Sequence, residues 1–137
     1  MLKVEKYKSI VFDCDGVILN SNKIKTRAFR LASIHFGEEV SSAFVDYHLQ
    51  NGGISRYAKF DYLLTSIVPV HCEKKKALYL KEMLKVYSEE TERSLLESET
   101  AYGLDSLRDK TRDSTWTIVS GGDQDQLHSF FKKKKNN

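Results

Sequence analysis

The chain has 137 residues, 40% of them apolar and 30% charged, which suits one soluble domain or a small core with an appended domain. Its net charge of +3 is smaller than the contribution of the four consecutive lysines at 132–135, so the body is close to neutral and carries no nucleic-acid footprint. No apolar run approaches the length of a transmembrane helix, the charged opening residues lack the apolar stretch of a signal peptide, and Cys14 and Cys72 make neither a disulfide framework nor a metal-type spacing. The expected location is therefore cytoplasmic, with no membrane or nucleic-acid partner.

The first element is the apolar run 9–12, read as a short buried strand. It ends in an acidic, glycine-containing turn, Asp13-Cys14-Asp15-Gly16. Residues 23–36 carry Ile24, Ala28, Leu31, Ala32 and Phe36 at helical spacing, with Ser21 or Asn22 as the expected cap and Gly37 as the stop. A second helix is expected over 41–50 and is broken by Asn51-Gly52-Gly53. A third covers 54–67, with Ile54, Tyr57, Ala58, Leu64 and Ile67 on one face and Pro69 beyond it. A fourth runs over 73–96 with Ala77, Leu80, Leu84 and Tyr87 on one stripe. These four make a separable helical block. After Gly103 come a short helix and a second strand read as buried, 115–119, ending in Ser120-Gly121-Gly122. Asp123 can cap a last helix bearing Leu127, Phe130 and Phe131, and a lysine tail follows.

The two loops after the strands carry the chemistry. Asp13 and Asp15 stand two positions apart after a strand, so both can face one pocket. Two carboxylates beside a phosphate repel and call for a cation, for which Mg²⁺ with oxygen ligands is the natural choice. One carboxylate can attack phosphorus, and the other can protonate the leaving oxygen and then activate water. Gly16 permits a tight turn, and N–H groups beside it can face an anion. Ser120 and Gly121 sit between a strand end and a helix start, where free N–H groups and the helix dipole favour a phosphate. An isolated Asp-x-Asp-Gly is also a common turn sequence. It is the pairing of the two loops, each directly after an apolar strand, that points to catalysis.

The run Ile10-Val11-Phe12-Asp13-Cys14-Asp15-Gly16-Val17 resembles the first motif of the haloacid-dehalogenase (HAD) superfamily, and Thr117-Ile118-Val119-Ser120-Gly121-Gly122 resembles its second. The helical block between them is similar to the cap of phosphoglycolate phosphatase and β-phosphoglucomutase relatives. The resemblance implies an α/β fold: a partial Rossmann-like parallel core formed by residues 1–19 and 99–137, with a helical cap at 20–98. It implies Asp13 as nucleophile, Asp15 as general acid/base, Ser120 and Gly121 as holders of the phosphoryl group, and Mg²⁺ bound by the Asp13 carboxylate and the Asp15 backbone carbonyl. The expected reaction is hydrolysis of a small phosphorylated metabolite through an aspartyl-phosphate. Asn51-Gly52-Gly53-Ile54-Ser55-Arg56 resembles the cap loop whose basic residue reaches the far end of the substrate, which nominates Arg56. A solvated arginine at a helix start is the bland alternative. Tyr57, Lys59 and His48 are weaker candidates.

Full members of the superfamily carry a third-motif lysine and an acidic fourth motif downstream, and the sequence as read stops before either. The expectation is a truncated product, impaired or inactive as an enzyme, ending at an adenine-rich lysine tract. Open sheet edges in such a product invite self-association. A non-catalytic remnant or binding module and a sugar phosphomutase are the alternative readings.

Overall fold

Strands β1 (Ser9–Asp13) and β2 (Thr115–Val119) pair in parallel, with Ser9 opposite Thr115 and Asp13 opposite Val119. The computed structural model describes residues 3–135, and within them these two strands form the sheet. Parallel strands cannot be joined by a tight hairpin, so the chain must cross over between them. The crossover here is the helical block: α1 (Asn22–Ser33), α2 (Glu38–Gln50), α3 (Arg56–Tyr62) and α4 (Glu73–Glu97). Helix α5 (Leu104–Lys110) leads into β2, and α6 (Gln124–Lys135) follows it. The fold is therefore mixed α/β and mostly helical. Among the described residues no helix is long and apolar enough to cross a membrane. The first two residues, and the two asparagines that close the expected lysine tail, lie outside the described residues.

Local chemistry sets the helix ends. A 3₁₀ turn, Ile34–Phe36, tightens the end of α1 before Gly37, whose φ of 104° is costly for any residue with a Cβ. Ser55 caps α3, its hydroxyl accepting from the Ala58 N–H at 3.3 Å. The chain then widens into a π-helical turn, Leu63–Ile67, as the Val68 N–H reaches the Leu63 carbonyl at 2.7 Å. Pro69 disfavours helical geometry at the residue before it, and Val68 accordingly leaves the helix. The Asp123 carboxylate accepts from the Gln126 N–H at 3.1 Å, the capping role expected of it.

The larger core lies inside the helical block, where Ala28, Phe29 and Ala32 of α1 meet Phe44, Phe60, Leu63, Leu64, Met83 and Tyr87. Small residues let α1 and α2 approach closely. Ser33 and Ser41 are fully buried, 3.0 Å apart, and each donates to a main-chain carbonyl of α1. A second cluster of Cys14, Ile18, Leu19 and Phe130 lies at the turn that follows β1, with Phe12, Leu95, Leu104 and Leu127 against it.

Two expectations need correction. The buried face of the third helix is not Ile54, Tyr57 and Ala58, which are exposed; it is Lys59, Phe60, Leu63 and Leu64. The helix begins only after Ser55, so Ile54 falls in the preceding loop. The strands are not buried on both faces either. Phe12 and Trp116, with ring centroids 4.7 Å apart, occupy the covered side, while Val11 and Val119 remain 64% and 55% exposed. Side chains alternate along a strand, so a two-stranded ribbon covered on one side leaves every second apolar residue in solvent.

Candidate functional site

The parallel register is what assembles the site. Asp13 ends β1 opposite Val119, which ends β2, so the turn Cys14-Asp15-Gly16 and the loop Ser120-Gly121-Gly122 leave the same edge of the sheet. The Cys14 N–H donates to the Val119 carbonyl at 3.0 Å and ties one loop to the other strand. Cys14 is fully buried, and that burial, with the nearby Asp15 charge, pushes its thiol up to about 11. It is a packing residue beneath the loop, not a nucleophile.

Asp13, Asp15, Ser120 and Gly121 line one cavity of about 400 Å³, and Arg56 lines it from the helical block. Gly16 turns the chain with φ 76°, and a Cβ there would lie 2.8 Å from the Asn22 amide nitrogen. Its own N–H goes to the Leu19 carbonyl at 2.7 Å, and Gly16 is not among the cavity-lining residues. Its contribution is the turn, and with its own N–H committed to Leu19 an anion would be met by the N–H groups beside it.

Asp15 is the most heavily engaged group. Its Oδ1 accepts from the Ser21 hydroxyl at 2.6 Å. Its Oδ2 accepts from Lys25 Nζ at 2.5 Å and, more weakly, from the Ser120 hydroxyl at 3.4 Å. Burial alone would raise this carboxyl, but the donors from Lys25, Ser21 and Ser120 together hold it below its ordinary value. Ser21 was one of the two expected caps of α1, with Asn22, and it holds the N-cap position. It is fully buried and makes no capping bond, because its hydroxyl is committed to Asp15. The Asp13 carboxylate, in contrast, is exposed and takes no hydrogen bond or ion pair among the described residues.

The wall opposite belongs to the helical block. Arg56 donates to the Gln126 side-chain oxygen of α6 at 2.7 Å and lies over the rings of Tyr57 and Tyr87. Burial, the largest effect, pushes the Tyr87 phenol up to about 12 despite the Arg56 charge beside it. The solvated-arginine alternative does not describe this residue, which is half-buried and bridges α3 to α6. One turn on, Lys59 is only 3% exposed and sits 2.8 Å from His48 Nδ1. His48 Nε2 lies 3.2 Å from the Thr26 hydroxyl, which donates to the Asn22 carbonyl at 2.9 Å. A neutral His48 that accepts from Lys59 at Nδ1 and donates to Thr26 from Nε2 satisfies every member of this chain.

Burial, then the charges of Lys59 and Lys25, lowers His48 from 6.5 to about 4. The unfolded chain therefore binds the extra proton first. The stabilisation is fully present above pH 6.5 and is lost as pH falls towards 4, by at most about 3 kcal/mol. Urea titrations at a series of pH values should record this slope in the wild type and a flatter one in His48→Gln; equal slopes would remove His48 as the source.

Lys25, Ser21 and Gln126 were missed from sequence, and Lys59 with His48 was underweighted. Ser21 and Lys25 are four residues apart and so share a helical face, but nothing local says that this face looks at Asp15. The chain matches no family model, no curated protein and no solved structure.

Proposed function

We propose that this protein is a phosphatase of the haloacid-dehalogenase type, acting slowly on a small phosphorylated metabolite through an aspartyl-phosphate. In this reading the β1–β2 half is a partial Rossmann-like core and the helical block is its cap. The observation that carries it is the convergence of Asp13, Asp15 and Ser120 on one cavity from the ends of two parallel strands. An exposed, unengaged Asp13 suits a nucleophile, and a tightly held Asp15 suits a residue that moves protons at a fixed point.

Magnesium fits the donors present only as a minimal seat. Among the described residues no group of three or more His, Cys, Asp or Glu side chains is arranged to hold a metal, and both Asp15 oxygens are engaged. The Asp13 carboxylate is unengaged, and the Asp15 carbonyl is not used by the bridge to Leu19, which takes the Cys14 carbonyl and the Gly16 N–H. One carboxylate and one carbonyl can hold Mg²⁺ when water and substrate phosphate supply the remaining ligands. Bound there, the ion would neutralise phosphoryl charge.

The steps assigned to the chain's own residues follow. An Asp13 oxygen bonds to phosphorus as the ester P–O bond breaks, and the leaving oxygen takes its proton from Asp15 or from water. The Asp15 carboxylate then accepts a proton from the water that attacks the acyl phosphate, releasing phosphate and restoring Asp13. At neutral pH Asp15 is held ionised, which suits the second step and starves the first. Slow turnover, and a preference for esters whose leaving group needs no proton, follow from that imbalance. Arg56 would meet the end of the substrate remote from phosphorus. Self-association through the outer strand edges belongs to the same proposal.

The test is chemical. The chain is incubated with p-nitrophenyl phosphate and Mg²⁺, quenched in acid, and searched by mass spectrometry for a hydroxylamine-labile phosphoryl group. The group is expected on Asp13. Turnover without it, or with the label on another residue, overturns the reading. Asp15→Asn should label rapidly and then stall, giving a burst and a steady rate lower by ~10²-fold.

A further inference from the structure

We propose that Lys25, a residue of the helical block and of neither reactive loop, is the cation that receives the phosphoryl group in this cavity. The inference rests on the phosphatase reading for the identity of the ligand. Its physical basis is the way three elements converge on one atom. Asp15 Oδ2 accepts from Lys25 Nζ at 2.5 Å and lies 3.4 Å from the Ser120 hydroxyl. Lys25 comes from α1, Ser120 follows β2, and the acceptor follows β1. All three residues line the cavity that also holds Asp13.

An anionic oxygen facing an ammonium and a hydroxyl is the environment a phosphoryl oxygen requires. In this structure the Asp15 carboxylate oxygen occupies that environment. A phosphoryl oxygen competing for the same donors would draw Lys25 from Asp15, and the lysine would be shared between the two anions. Lys25 is 28% exposed at its side chain and Asp15 24%, so the pair is shielded yet open to a small ligand.

The position of Lys25 argues that it is not there for the helix. The first turn of α1 contains Lys23 and Lys25 and no acid. Cations are disfavoured at a helix N-terminus, where the dipole is positive. A lysine in that turn is stabilised only by an anion in front of it, and Asp15 is that anion when no ligand is bound. The same dipole adds to the attraction a phosphate would feel. Arg56 and Lys59 line the same cavity, but among the described residues neither has a carboxylate partner, whereas Lys25 is bonded directly to Asp15.

The discriminating experiment is calorimetric titration of inorganic phosphate into the full chain, compared across wild type, Lys25→Met, Lys25→Arg and Asp15→Asn, each checked for folding by circular dichroism. Lys25→Met should bind phosphate about tenfold more weakly or worse, and Lys25→Arg should keep most of the affinity. Asp15→Asn should tighten binding, because it removes the internal competitor and leaves Lys25 free. Loss of a negative charge alone would also tighten an anion, so the double variant Lys25→Met/Asp15→Asn is titrated beside it: it should lose the gain if Lys25 receives the phosphate and keep it if Lys25 only steadies Asp15. Unaltered affinity in folded Lys25→Met, no tightening in Asp15→Asn, or no saturable binding by either wild type or Asp15→Asn overturns the proposal. If Lys25→Met does not fold, the double variant, which leaves no unpaired Asp15 carboxylate, is compared with Asp15→Asn and decides. The outcome is separable from that of the parent reading. Phosphate binding with this pattern but no label on Asp13 refutes the phosphatase and leaves the anion site. A label on Asp13 with Lys25-independent binding does the reverse.

Discussion

Replacing Asp13 by asparagine should reduce p-nitrophenyl phosphate turnover to the uncatalysed background, a loss on the order of 10³-fold or more, without unfolding the chain. The reason lies in how differently the two aspartates are held. Asp15 sits in a mesh of donors from Ser21, Lys25 and Ser120, so its removal disturbs both charge balance and packing. Asp13 ends β1 with its side chain exposed and, among the described residues, unengaged. Asparagine there keeps the shape of the loop and the backbone pairing to Val119, and removes only the carboxylate oxygen proposed as nucleophile and its charge. Surface substitutions of this kind usually move stability by less than about 0.5 kcal/mol. A large kinetic loss with an unchanged urea midpoint is the expected pair of results. Turnover that survives in Asp13→Asn would exclude a covalent role for this residue.

How far this site could be read from sequence depended on whether the cause was local. Asp13, Asp15 and Ser120 were legible because each follows an apolar run that ends in a glycine-containing turn. Parallel pairing of the two runs then brings their ends together with no further information. Some helix limits were legible for the same reason, with Gly37 and Asp123 acting where expected, whereas the Ser55 cap was not, because the third helix was expected to start at Ile54. Contacts across the chain were not. Ser21 reads as a helix cap because serine before a helix usually is one, yet its hydroxyl turns back to Asp15. Arg56 was a fair candidate, but its partner Gln126 is 70 residues away and belongs to α6. Lys25 drew no reading from the sequence, because only the fold aims it at a carboxylate. Apolar runs say that strands form and leave open how many faces are covered, which is why Val11 and Val119 were misjudged.

Phe29→Ala should lower the stability of the fold by about 3–5 kcal/mol, the usual range for removing a buried aromatic side chain. Phe29 is 3% exposed, and its ring centroid lies 5.6 Å from that of Phe44, 4.5 Å from His48, 5.3 Å from Phe60 and 4.6 Å from Tyr87. It therefore joins α1 to α2, α3 and α4 at one point. Aromatic contacts of this geometry add about 0.5–1.5 kcal/mol each to the effect of burial. Against a typical net stability of about 5–15 kcal/mol, the loss is a large fraction of the whole. Val11→Ala, at a position 64% exposed on the uncovered face of the sheet, is the contrasting control and should stay within about 0.5 kcal/mol. The ring is also a wall of the cavity and lies 5.4 Å beneath the Lys59 ammonium. Its removal admits water to the Lys59–His48 pair, and burial is the main cause of the depressed His48 value. His48 in Phe29→Ala should thus titrate nearer to 6.5, measurable by NMR of its ring protons under conditions where the variant is folded. Lost stability with an unmoved His48 would mean that Lys59, not burial, keeps that ring neutral.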